Sequence, residues 1–233
     1  MSDLTVIIPS RGRPGAVAAI AETYAETCEL DTWLVFAVDD NDPDLDRYRS
    51  AVVDAAYPNC SVYVDRNKSM VEALNHAVAN TPLEFAVGFQ GDDHRPRTKG
   101  WDAAYVAALR ELGTGIVYGN DLLQGSNLPT QCAMTADIPA VLGYMAPPSL
   151  THLAVDNFWL ELGQGAACIR YLPSVVVEHM HPVAGKADWD EGYQRVNHPR
   201  MYDRDLHELT RLRGSSTPVA IARVSALRGA HHD

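Results

Sequence analysis

Leu4-Thr5-Val6-Ile7-Ile8 runs straight into Pro9-Ser10-Arg11-Gly12-Arg13-Pro14-Gly15. A short β-branched run closed by a Pro/Gly cluster reads as a buried strand entering a loop. Working outward, Ala, Ile and Glu at helical spacing predict a helix over 16–28, with Pro14 near its start where helices tolerate it. Residues 33–38 form a second strand, stopped by the acidic turn Asp39-Asp40-Asn41-Asp42-Pro43-Asp44. A helix over 45–57, a strand over 62–64 and a helix over 70–80 follow. A strand over 84–89 breaks at Gln90-Gly91-Asp92-Asp93-His94-Arg95-Pro96, before a helix over 101–112 and a strand over 115–119. This alternation implies an α/β fold, Rossmann-like, with a mostly parallel central sheet flanked by helices.

The second half alternates less cleanly. It predicts a helix over 152–162 and a strand over 171–177 that leads into Glu178-His179-Met180-His181-Pro182. A mobile polar loop over 184–194, a charged helix over 202–212 and a short tail from Gly214 complete the reading. Residues 1–185 are expected to form one domain, with 186–233 packing on it.

The composition bounds what such a domain does. The chain has 233 residues, 46% of them apolar and 21% charged, and a formal net charge of −11. That acidity disfavours a general nucleic-acid coat, whose affinity comes from neutralising phosphates. The charge is uneven: residues 1–185 carry a net −12 and residues 186–233 a net +1. The four cysteines form no C-x-x-C pair, and no apolar run approaches the ~20 residues that span a bilayer. A soluble protein of the cytoplasm is the expectation.

In an open parallel sheet, ligands bind beyond the carboxyl ends of the strands. Ser10 and Arg11 follow the first strand, Asp39 and Asp40 the second, and Asp92 and Asp93 the fourth. Three polar loops at one rim make that rim the candidate site. Hard carboxylate oxygens at Asp92–Asp93 suit Mg²⁺ or Mn²⁺, the competing reading being a solvated turn. His179 and His181 share one side of an extended backbone, so either or both suit a metal, Mn²⁺ or Zn²⁺ over Mg²⁺. Asp39 and Asp40 stand where a carboxylate accepts a uracil imide N–H or binds ribose hydroxyls, or where an Asx turn forms. Arg11, Arg13, Arg66 and Lys68 are the nearby cations. Asp156, among apolar neighbours, is a candidate general base with a raised pKa, or a helix cap. No G-x-G-x-x-G, Walker A or G-x-S-x-G sequence is present, which weakens dinucleotide, P-loop and serine-hydrolase readings.

Taken in order, these segments resemble the GT-A glycosyltransferases, especially the family-2-like group, over most of residues 4–182. Thr5–Arg13 resembles the group's opening strand, and Val38–Asp44 its nucleotide-binding turn. Arg66–Ser69 with Asn75-His76-Ala77 is similar to its next segment, and Phe89–Asp93 stands where the D-x-D metal motif belongs. The resemblance implies that Pro9, Ser10, Arg11, Asp39 and Asp40 line the base and ribose pocket with Lys68. It implies Mn²⁺ or Mg²⁺ on Asp93 and His181, with Asp92 on the ribose or the metal's water shell. Asp156 would be the base of an inverting enzyme. Two departures stand out: Gln90-Gly91 replaces the first acid of D-x-D, and the usual Glu-Asp pair reads Val155-Asp156.

The expected reaction is therefore metal-dependent glycosyl transfer from a nucleoside diphosphate sugar, UDP favoured, to a hydroxyl. The rivals are a nucleotidyltransferase and an inactive nucleotide-sugar-binding module. The compact length resembles short stand-alone enzymes of bacteria and bacteriophages. The arginines of 186–213 raise modified DNA as one anionic acceptor, against a plainly solvated helix.

Overall fold

The computed structural model describes residues 2–230. Strands β1 (Leu4–Pro9), β2 (Trp33–Asp39), β3 (Cys60–Asp65) and β4 (Ala86–Phe89) alternate with helices α1 (Gly15–Thr27), α2 (Leu45–Val53) and α3 (Met70–Asn80). Then come β5 (His94–Pro96), α4 (Trp101–Leu112), β6 (Ile116–Asn120), β7 (Cys132–Thr135), α5 (Asp137–Leu142), α6 (Val155–Gly165) and β8 (Ile169–His179). Helices α7 (Glu191–Val196), α8 (Pro199–Arg213) and α9 (Ser216–Ala230) complete the order.

The strands form one sheet in the order β3-β2-β1-β4-β7-β6-β8-β5. The β3-β2-β1-β4 half is parallel throughout, as is the β6–β8 pair. Strand β7 runs against both its neighbours, and β5 against β8. The fold is thus the mixed α/β, mostly parallel sheet that the alternation predicts.

Along β1 successive side chains enter opposite cores, as the two-residue strand period demands. Leu4, Val6 and Ile8 belong to the core shared with α1 and α4, whereas Ile7 belongs to the core on the other face, to which α3, α5, α6, α8 and α9 contribute. With both faces covered, the strands need no polar side, which is why they read as unbroken apolar runs. Helix α3 has the bounds the sequence predicts because its start is chemically marked. Ser69 Oγ accepts the Glu72 amide at 3.1 Å, and Glu72 reaches back to the Lys68 amide at 2.5 Å, a variant of the capping box.

Several expectations need correction. The segment read as a polar break after β4 contains β5, whose three residues pair with β8 in the register His94↔His179, Arg95↔Glu178, Pro96↔Val177. So short a charged strand has no period of its own to read. Strand β7 and helix α5 were invisible for the same reason. Helix α6 begins at Val155 rather than 152, because Ala154 takes a left-handed conformation (φ 63°) at its N-cap. Residues 216–230, expected as a tail, form α9, which buries Thr217, Ala220 and Val224 against α5 and α6. The spacing is helical, but the small side chains gave little hydrophobic signal. Helix α7 likewise begins inside the segment expected as a polar loop over 184–194 and runs past its end.

Candidate active site

Because β1, β2, β4, β6 and β8 all point the same way, the loops after them converge on one rim. There they border a cleft of about 860 Å³. Pro9, Ser10, Arg11, Asp39, Lys68, Asp92, Asp93, Asp156 and His181 all line it. Asp40 does not: it sits beside the cleft, paired with the exposed Arg66 at 3.1 Å.

The loop after β1 is locked from several sides. Gly12 takes a positive φ of 67°, and its amide donates to Asp42 Oδ2 at 2.8 Å. Buried Ser10 donates to Asp92 Oδ2 at 2.7 Å, with the Tyr48 hydroxyl also 2.7 Å from its oxygen. Arg11 bonds Asp39 Oδ2 at 2.6 Å and Asn41 at 2.7 Å, while Asn67 donates to the other Asp39 oxygen at 3.1 Å. Arg13 holds Asp92 at 2.9 Å through one nitrogen and grips Asp190 with two others, at 2.8 and 2.7 Å. Its guanidinium lies 4.1 Å from the centre of the Tyr193 ring. This arginine ties the β1 loop to the start of α7.

Asp93 is the hub. His179 Nε2 lies 3.2 Å from its Oδ2, the Tyr193 hydroxyl donates to the same oxygen at 2.8 Å, and His94 Nδ1 stands 3.4 Å from Oδ1. Burial pushes the Asp93 carboxyl up, but the bonds from His179 and His94 outweigh it and hold the group well below the usual carboxylate range. Burial lowers His179, yet Asp121 and Asp93 on either side raise it to about 9. Asp92, buried and beside Asp93, is pushed up instead. The rings of His94 and His179, opposite one another across the β5–β8 pair, stack with centroids 4.2 Å apart. Gly91 is required at the turn: a Cβ there would lie 2.6 Å from Asp93 Oδ1 and 3.0 Å from His94 Nδ1.

These groups fit a divalent cation. Asp93, His94 and His179 each bring a donor atom within 4.8 Å of the others. The nitrogens that face Asp93 are His179 Nε2 and His94 Nδ1, the latter also accepting the Gly91 amide at 3.0 Å, and mixed carboxylate and imidazole donors suit Mn²⁺ better than Mg²⁺. His181 stands with its ring 5.1 Å from that of His179 and 5.1 Å from that of Tyr193. Its Nδ1 accepts the Val183 amide at 3.2 Å, which leaves Nε2 as its open nitrogen.

Asp156 faces the cleft from the first turn of α6. Its hydrogen bond is from the adjacent Asn157 amide, at 2.9 Å. Burial raises its pKa, and the bond from Asn157 only partly offsets this. A carboxylate so placed is a competent proton acceptor.

Sequence reasoning missed His94, Asp121, Tyr193 and the Arg13–Asp190 clamp. Each depends on a pairing between distant segments: β5 with β8, the loop after β6 with β8, and α7 with the β1 loop. Only the His94-x-x-x neighbourhood of Asp93 carried any signal in the sequence.

No family model and no curated relative matches the sequence. Solved structures do resemble the fold. The mannosyltransferase PcManGT from Pyrobaculum calidifontis, in complex with GDP-Man and Mn²⁺, superposes with a TM-score of 0.66 at 15% identity, over 98% of this chain and 74% of that one. TarS from S. aureus gives 0.57 at 15% identity, over 88% and 72%. Glucosyl-3-phosphoglycerate synthase from Mycobacterium tuberculosis, in complex with Mn²⁺, UDP and glucosyl-3-phosphoglycerate, gives 0.57 at 13% identity, over 98% and 80%. Among the described residues, no helix is long and apolar enough to cross a membrane.

Proposed function

On the GT-A glycosyltransferase fold shared with these structures, we propose that the chain transfers a sugar from a nucleoside diphosphate sugar, UDP favoured, to a hydroxyl acceptor. The observation that carries this reading is the hub at Asp93, where a carboxylate and two imidazoles meet in the cleft that also holds Asp39 and Asp156. Two of the similar solved structures add support, a mannosyltransferase in complex with GDP-Man and Mn²⁺ and a glucosyl-3-phosphoglycerate synthase in complex with Mn²⁺ and UDP.

In this reading Asp93 and His179 hold a divalent cation, with His94 or His181 completing the protein ligands. The cation supplies charge neutralisation to the diphosphate leaving group. Pro9, Ser10, Arg11, Asp39 and Lys68 bind the nucleotide. Asp40, paired with Arg66 beside the cleft, is left out of the nucleotide set. Asp92, bonded to Ser10 and Arg13, orients the β1 loop toward the ribose. Asp156 takes the proton from the acceptor hydroxyl as it attacks the anomeric carbon, which gives inversion.

Calorimetry of UDP and GDP with and without Mn²⁺ tests the reading. Nucleotide binding that needs Mn²⁺ and is lost in Asp93→Asn is expected. Binding indifferent to the metal would sink it. NMR of the product's anomeric proton checks inversion.

A further inference from the structure

Of the five arginines in residues 186–213, four stay out of the cleft. Arg211 and Arg213 are tied to Glu208 and Glu161 at 2.6 and 2.5 Å. Arg200 and Arg204 are exposed on α8 and do not line the cleft. Arg195, in the last turn of α7, does line it. The other arginines of the cleft are already engaged, Arg11 with Asp39 and Arg13 with Asp92 and Asp190. Among the described residues, no side chain pairs with Arg195. The Lys68 ammonium is unpaired as well, but it follows β3, next to the Asn67 that bonds Asp39.

His152 lines the cleft four residues before Asp156, and Arg195 is close enough for its charge to act on the ring. Burial keeps that ring neutral at pH 7, with one N–H to donate. Among the described residues neither ring nitrogen has a hydrogen-bond partner. The backbone beneath is fixed, Asp205 accepting the His152 amide at 2.9 Å.

We propose that Arg195 and His152 form an acceptor subsite for an anionic group, a carboxylate or a phosphate, carried by a small hydroxyl compound. The inference rests on the reading that the cleft takes a nucleotide sugar and that Asp156 is the base. Asp92, Asp93 and Asp156 repel an anion from this cleft, so one enters only where a cation offsets them. Arg195 is the unspent cation beside His152. A guanidinium meets carboxylate or phosphate oxygens two at a time, and the His152 N–H adds a third, directional contact. Duplex DNA would need a run of cations along its phosphates. Arg200 and Arg204 do not continue such a run into the cleft, which points to a small acceptor.

Calorimetry with UDP and Mn²⁺ present, so that the nucleotide pocket is filled, compares glycerol 3-phosphate, lactate and glycerol. At least one of the two anions is expected to bind about tenfold or more tighter than glycerol. Arg195→Gln and His152→Gln should each weaken that anion, the arginine variant by about tenfold or more, and Arg195→Lys should restore part of the loss. Which anion binds better tells a phosphate from a carboxylate. Anions that bind no better than glycerol, or equally well in Arg195→Gln, overturn the proposal. So does a loss confined to Lys68→Gln, which would put the anion in the nucleotide pocket, or tighter binding of a hydroxymethylated DNA duplex than of either anion. A protein that binds no UDP but still holds the anion through Arg195 refutes the transferase reading and leaves the anion site standing. Mn²⁺-dependent UDP binding without anion binding does the reverse.

Discussion

Asp156 is the residue whose surroundings ask most of it. Its charge is raised in energy by burial, which the bonds from the Asn157 amide and from its own amide only partly offset. Structural economy alone would favour an asparagine there, which keeps the shape and removes the charge. If Asp156 is the base, Asp156→Asn lowers kcat for transfer by about 10²–10⁴ while leaving donor KM near its wild-type value. Initial-rate kinetics check this, and a loss under tenfold would place the base elsewhere. At this scale the sequence was informative where chemistry is local. Ser10, Asp39, Asp92 and Asp93 could be brought to one rim from strand order alone. Tyr193 could not, since nothing near it in sequence says that it faces Asp93.

Among the elements, α8 is fixed to the site by one buried side chain. Asp205, fully buried, accepts the amides of Thr151, His152 and Leu153 at 3.2, 2.9 and 2.8 Å. Those residues lead directly into Ala154 and the start of α6, so α8 helps to set where Asp156 begins. Removing the acceptor leaves several amides without their partner, and each such loss costs about 1–3 kcal/mol when buried. Asp205→Ala should therefore lower stability by about 3 kcal/mol or more, read as a shift in the urea midpoint. Elements with strong periodicity and marked ends, α3 and α4 above all, were legible from sequence to the residue. The short strands β5 and β7 were not, because they exist only through pairing with distant partners. Helix α9 escaped because its buried face is made of Thr217, Ala220 and Val224, which differ little in hydropathy from the rest of the helix.

For the molecule as a whole, His152 couples stability to pH. Burial lowers its pKa to about 4, despite the opposing pull of Asp205 and Asp93. The ordinary value is about 6.5, so between these limits the unfolded chain binds the extra proton and the folded chain does not. Stability from this group is thus complete above about pH 6.5 and falls as the pH drops toward 4, by on the order of 2–3 kcal/mol. Urea midpoints at about pH 7 and pH 4.5 should differ less in His152→Gln than in wild type. An unchanged difference would mean that another group titrates there.

The β5–β8 pairing has a consequence for how the protein comes into being. Ser10, Asp39 and Asp92 to His94 are synthesised early, on the strands that open the sheet. His179, its facing partner, follows only with β8, and Tyr193 and Asp190 later still. A nascent chain that has emerged as far as β7 thus carries the rim's carboxylates without the imidazole and phenol that compensate them. The centre is completed by elements that come late in this order, so a chain interrupted before β8 has most of its sheet and no finished site.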